Sequence, residues 1–134
     1  MHQLNCTYYS ALGEDDDRYL AARAIQLFAR GIPQVYYVGL LAGTNDHAAV
    51  ERTGEGRAIN RHDYSEDEIA RALERPVVGG LLELVRMRAS HPAFAGPLVV
   101  ESPTPGTLRL TRTLGSHRCV LSVDVSSGRI DLRS

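Results

Sequence analysis

The sequence predicts an α/β protein. Its first ninety residues read as the end of a larger α/β domain, and the remainder as a small antiparallel sheet. Three observations carry this. An amphipathic helix over 14–30 leads through a short link into an apolar run at 33–38, an αβ unit. That run needs sheet neighbours, and only residues 2–9 offer strand character upstream of it. From residue 97 the texture turns to short, alternating, β-rich runs separated by turn residues.

Each element has a local reason. The stretch "EDDDRYLAARAIQLFAR" crowds acids into its first turn, where the helix dipole favours them. Leu20, Ala21, Ala24, Leu27 and Phe28 then share one face. Gly31 and Pro33 end the helix. In "PQVYYVG" the β-formers Val35 to Val38 lack clean alternation, which suits a strand covered on both faces. Residues 39–75 are polar, Gly-punctuated and long for a loop, the kind of segment that tends to carry function. Two short helices are predicted inside it, near Asp46–Arg52 and at Glu66–Glu74, the second N-capped by Ser65 with Glu68 completing a capping box. Residues 76–90 form a further helix, with Pro76 in its first turn and Leu81, Leu82, Val85 and Met87 supplying apolar surface. Its Gly79–Gly80 pair costs about 1 kcal/mol per glycine relative to alanine, which points to close packing. "HPAFAGP" ends the helical register, and a domain boundary falls near 92–97, dividing 1–94 from 95–134. Four strands follow in "LVVESP", "TLRLTRTL", "CVLSVDVSS" and "RIDLRS", with turns at 104–106, 115–116 and 126–128.

Composition excludes several classes. A net charge of −1 offers no electrostatic footprint for nucleic acid or an anionic membrane. No apolar run approaches a membrane span, and the first residues lack a signal peptide's pattern, so a cytoplasmic protein is expected. Cys6 and Cys119 are too few for a disulfide framework or a thiolate zinc site, and five histidines without ligand spacing predict no metal. All fifteen basic residues are Arg, which removes Schiff-base chemistry and the P-loop lysine.

Four blocks, "QLNCTYYSALG", "AIQLFARGIPQVYYVGLLAGTND", "EGRAINRH" and "RPVVGGLLELVRMRASHPAF", occur in the order and spacing of one family. They resemble the C-terminal part of the sucrose phosphorylase group of glycoside hydrolase family 13, in the α-amylase superfamily. The resemblance is dense from Gln3 to Phe94. It implies the end of a (β/α)8 TIM barrel followed by a small antiparallel β-domain. On that fold, 1–13 is the loop after the seventh strand, 14–30 the seventh helix, 33–38 the eighth strand, 39–75 its loop and 76–90 the eighth helix. Barrel sites lie in such βα loops.

The family reaction is phosphorolysis with retention, which needs two closely spaced carboxyl groups. By resemblance the nucleophile, the acid/base and a stabilising carboxylate all lie outside this chain, so no catalytic residue is expected here. Asp15, Asp16 and Asp17 read as helix-start residues, not replacements. The substrate contacts implied by resemblance are Gln3 at the acceptor site, Arg57 at distal hydroxyls of the glucosyl unit, and His2. An amide such as Gln3 offers sugar hydroxyls both donor and acceptor. His2 stands where sucrose phosphorylases commonly carry Tyr. A histidine there resembles relatives acting on sucrose 6'-phosphate, and the residue itself leaves open a neutral variation in a mobile loop. Gly54 and Gly56 let the backbone bend so that Arg57 points inward; the alternative is a surface pair with Glu55. Asn60, Arg61 and His62 are expected to brace the loop, Asp46 to cap the following helix, and Tyr8, Tyr9, Tyr36 and Tyr37 to pack in the barrel wall. His91 is expected to be structural.

The implied activity is conversion of sucrose and phosphate to α-glucose 1-phosphate and fructose, with sucrose 6'-phosphate, glucosylglycerol or glucosylglycerate as alternative donors. Inorganic phosphate is the expected co-substrate and no cofactor is expected. The chain alone is expected to be inactive. A reading of another class is a non-catalytic carbohydrate-binding or interaction module derived from a barrel fragment, self-associating through exposed apolar faces.

Overall fold

The computed structural model describes residues 4–134, so Gln3 and His2 lie outside the described residues. In chain order the elements are α1 (Tyr8–Ala11), α2 (Asp16–Phe28), α3 (Tyr37–Leu40), α4 (His47–Thr53), a 3-10 turn (Gly56–Asn60), α5 (Glu66–Leu73), α6 (Pro76–Ser90), a 3-10 turn (Pro92–Ala95), and strands β1 (Leu98–Glu101), β2 (Thr107–Leu114), β3 (His117–Asp124) and β4 (Ile130–Arg133). They form two compact units. One holds the chain up to Asp15 with Val35–Gly79; the other holds Asp16–Gln34 with Gly80–Ser134.

The second unit contains the sheet, an antiparallel meander in the order β1-β2-β3-β4. All four predicted strands are present. Leu114 pairs with His117 across a two-residue loop whose first member, Gly115, is left-handed (φ 57°), as tight hairpins require. Alternation sends Leu110, Cys119, Leu121 and Val123 to the buried face. Tyr19, Ala24, Leu27 and Phe28 of α2, Leu81 of α6 and Phe94 of the 3-10 turn are also buried. The rings of Phe28 and Phe94 meet edge to face at 4.9 Å. Leu20 is only half-buried, whereas Tyr19 and Arg23 are buried, Arg23 Nε donating to the Tyr19 hydroxyl at 3.0 Å. At the glycine pair, a methyl on Gly80 would meet the Leu20 side chain at 3.2 Å, while one on Gly79 would meet nothing within 4 Å. Close packing therefore explains Gly80 alone. His91 is structural: its Nδ1 accepts from the Ala93 amide at 3.2 Å and caps the 3-10 turn.

The buried guanidinium of Arg112 points from β2 to the end of α2. It donates to the carbonyls of Phe28 (3.0 and 2.8 Å), Ala29 (2.7 Å) and Gly96 (2.9 Å). The Phe28 and Ala29 carbonyls are orphan acceptors at the negative end of the α2 dipole, so the cation is offset without a carboxylate. Burial, with the nearby charges of Arg88 and Arg30, pushes its pKa below the usual arginine value.

The first unit corrects one expectation. Residues 33–38 are not a strand. Residues 32–36 have no regular structure, and Tyr37–Leu40 form a single helical turn. A strand exists only through hydrogen bonds to a neighbour, and no described residue supplies one there. The tyrosines also differ from expectation: Tyr9 is buried, but Tyr8, Tyr36 and Tyr37 are substantially exposed.

Candidate functional site

The long loop of the first unit is built around Asp46. Its backbone N–H donates to the Ile59 carbonyl (2.8 Å), and its Oδ1 accepts from the Ala49 amide (2.8 Å), the N-cap expected for α4. Its other oxygen, Oδ2, lies 2.6 Å from Nδ1 of His62. His62 Nε2 lies 3.2 Å from Glu68 Oε1, and the His62 carbonyl accepts from the Tyr37 hydroxyl at 2.9 Å. Glu68 Oε2 accepts from the Ser65 amide and hydroxyl, both at 2.8 Å, while Ser65 Oγ caps the Glu68 amide. The predicted capping box is thus present, and one of its members also holds the histidine.

Electrostatics follow from these bonds. The Asp46 hydrogen bond, helped by Glu68 and opposed by partial burial, raises the His62 pKa. The same hydrogen bond from His62, then the Ala49 amide, lowers that of Asp46. The Ser65 amide and hydroxyl, then His62, bring Glu68 down to about 2. A histidine between two carboxylates donates to both only as the imidazolium.

Asp46, His62 and Glu68 line a cleft of about 480 Å³ with Asn45, Tyr64 and Arg75. Arg75 Nη1 donates to the Leu41 and Ala42 carbonyls (3.3 and 3.0 Å), and its guanidinium lies over the Tyr9 ring at 5.2 Å. Those bonds hold the turn in which Ala42 is left-handed (φ 47°), an unusual state for a residue with a Cβ. Tyr64 sets its hydroxyl against Gly43, where any side chain would collide with it. Asn45 ties in residues 7–10: its Oδ1 accepts from the Thr7 amide (2.7 Å) and its own amide donates to Ser10 Oγ (3.0 Å).

Arg57 sits on the Gly56–Asn60 turn with its side chain exposed, and among the described residues it forms no pair with Glu55. Left-handed Gly54 (φ 70°) closes α4 just before it, and Asn5 Nδ2 lies 3.3 Å from where a Cβ on Gly56 would be. His62 braces the loop as expected. Sequence reasoning missed the joining of Asp46 to His62 and of His62 to Glu68, as well as Arg75, Tyr64 and Asn45. The capping patterns at Asp46 and around Ser65 were the local signals that pointed at this network. Among the described residues no group of three or more His, Cys, Asp or Glu side chains is arranged to hold a metal ion, and no helix is long and apolar enough to cross a membrane.

No family model matches the chain. Individual relatives do. It is 54% identical over 127 residues, 95% of its length, to the sucrose 6(F)-phosphate phosphorylase of Thermoanaerobacterium thermosaccharolyticum, covering 26% of that protein. It is 53% identical over 129 residues, 96% of its length, to the sucrose phosphorylase of Agrobacterium vitis, again covering 26%. The crystal structure of sucrose 6F-phosphate phosphorylase from Thermoanaerobacter thermosaccharolyticum matches 98% of this chain with a TM-score of 0.95 at 52% identity, the match covering 27% of that structure. The chain therefore spans about a quarter of the length of these relatives. In sequence and in fold alike, it corresponds to the C-terminal region of the sucrose phosphorylase group.

Proposed function

We propose that this chain is the C-terminal part of a retaining glucosyl phosphorylase that converts sucrose and inorganic phosphate to α-glucose 1-phosphate and fructose. The observation that carries the proposal is the high identity, over nearly the whole chain, to a sucrose phosphorylase and a sucrose 6(F)-phosphate phosphorylase. On this reading residues 1–94 belong to the closing part of a (β/α)8 barrel, and 95–134 form the appended β-domain. Arg57 hydrogen-bonds distal hydroxyls of the glucosyl unit; its exposure on a braced turn supports that role. Gln3 and His2 face the acceptor. The nucleophile, acid/base and stabilising carboxylate come from outside these residues, so the chain by itself turns over nothing. Phosphate is the co-substrate, no cofactor takes part, and the protein works in the cytoplasm. Leu4 and Ile32, 90% and 92% exposed, supply apolar surface for association with further protein, a second copy included.

A second reading, phosphorolysis of sucrose 6'-phosphate, is favoured by the relatives of that name and by the imidazole of His2, a suitable donor to a phosphate oxygen. The test is phosphorolysis by the full-length protein, following glucose 1-phosphate from each donor. Preference for sucrose supports the first reading, and preference for the phosphorylated sugar the second. Release from neither overturns both and returns weight to a non-catalytic module.

A further inference from the structure

We propose that His62 is a positioning residue: clasped between Asp46 and Glu68, it fixes the Gly56–Asn60 turn that presents Arg57 to the sugar. This rests on the sugar-binding reading of Arg57 given above. The turn is held at its far end from two levels. At residue 59 the carbonyl accepts from the Asp46 amide (2.8 Å); at residue 62 the imidazole meets the Asp46 carboxylate (2.6 Å) and Glu68 (3.2 Å), and the carbonyl accepts from Tyr37 (2.9 Å). Asp46 therefore grips the segment both by backbone and by side chain, on either side of Asn60 and Arg61. At the near end left-handed Gly54 closes α4 with its amide on the Val50 carbonyl (2.8 Å), the Glu55 amide donates to Thr53 Oγ1 (3.2 Å), and Asn5 closely approaches Gly56. Removing the His62 imidazole takes away both side-chain ties at the far end and leaves there the Asp46–Ile59 backbone bond and the Tyr37 hydroxyl on the residue-62 carbonyl.

The clasp takes the chemistry of an imidazolium, because only that form donates from both ring nitrogens. The groups around it are Asp46 at the start of α4, Glu68 on α5, the Tyr64 ring at 4.6 Å and the Tyr37 hydroxyl on its carbonyl, with His47 and Arg75 lining the same cleft. The two carboxylates touch the ring directly, so they outweigh the cation of Arg75, which is spent on the Leu41 and Ala42 carbonyls. The doubly bonded clasp is complete while His62 is protonated and opens on one side as pH rises through its raised pKa. Donor affinity should follow it.

The experiment uses the full-length protein carrying this chain, with His62→Ala, His62→Gln and Arg57→Ala. Amide exchange is followed across residues 56–62, alongside KM and kcat for sucrose as glucosyl donor between pH 5.5 and 9. The expected result for both His62 variants is about tenfold faster exchange at 57–61, about tenfold higher donor KM and a smaller fall in kcat. The alkaline rise of KM in the parent should be missing from both. His62→Gln, which keeps size and one donor, guards against a variant that fails to fold. Unchanged exchange in a folded His62 variant overturns the clasp. Faster exchange with an unmoved KM, where Arg57→Ala raises KM, overturns the positioning role. If Arg57→Ala leaves KM untouched, the sugar-binding reading has failed on its own, and exchange alone then decides whether the clasp exists.

Discussion

Arg112 finishes the helix that Phe28 ends. Its Nε and Nη2 both donate to the Phe28 carbonyl, at 3.0 and 2.8 Å, across 84 residues of sequence. Replacing the fork with an apolar chain of similar length strands those carbonyls in a buried setting. Arg112→Met is therefore expected to destabilise the protein by about 3 kcal/mol, the order reached when buried acceptors lose a charged donor. Arg112→Lys should recover part of this, because one ammonium cannot serve three carbonyls in a plane. Urea unfolding of the three proteins checks the order.

Three glycines separate by what surrounds them. Gly79→Ala meets nothing within 4 Å in the interior of α6 and should stabilise by about 0.5–1 kcal/mol. Gly80→Ala gains the same backbone term but presses on the flexible Leu20 side chain, so its net effect should lie near zero. Gly43→Ala runs into the Tyr64 hydroxyl and the Val38 side chain and should cost about 1–3 kcal/mol. Thermal unfolding of the three variants would expose any departure from this ranking.

The His62 clasp has a defined pH signature. A raised histidine pKa means stability that is fully present below the unfolded value, near 6.5, and lost as pH rises through the folded value. Lowered carboxylate pKa values mean stability present above their unfolded values and lost in acid, for Glu68 as pH falls from 4.5 towards about 2. NMR titration should find His62 above 6.5 and Asp46→Asn should bring it down. A His62 that titrates at its ordinary value in the parent would count against the geometry.

The isolated 134-residue chain, incubated with sucrose and phosphate, is expected to release no glucose 1-phosphate. Detectable release by the purified chain would mean that carboxylates within it carry the double displacement, and that the proposed division of the site is wrong.

Local rules were readable and non-local ones were not. Ser65 and Glu68 are three residues apart, and their reciprocal capping was visible in the letters alone. Likewise the four strands showed in their alternation and turn residues. The run at 33–38 misled because Val35 and its neighbours have strand propensity, while a strand's existence depends on a partner elsewhere. Arg112 occupies an inward position of β2, but the carbonyls that make its burial tolerable lie 84 residues away. At the candidate site, Asp46 could be given a capping role and His62 a bracing one, yet their contact required the intervening loop to fold back. Gln3 and His2 fall outside the described residues and stay as proposed.

The unit that holds the sheet is drawn from two stretches of chain, 16–34 and 80–134, with 35–79 lying between them in sequence. In the order of synthesis α2 is therefore made well before the strands that complete its unit. Until Arg112 has left the ribosome, the last carbonyls of that helix lack this donor, and its buried face lacks the strands of its own unit. A nascent chain halted before the second strand would thus lose both the sheet and the end of a helix made long before it, and would offer that helix's apolar side to chaperones and proteases.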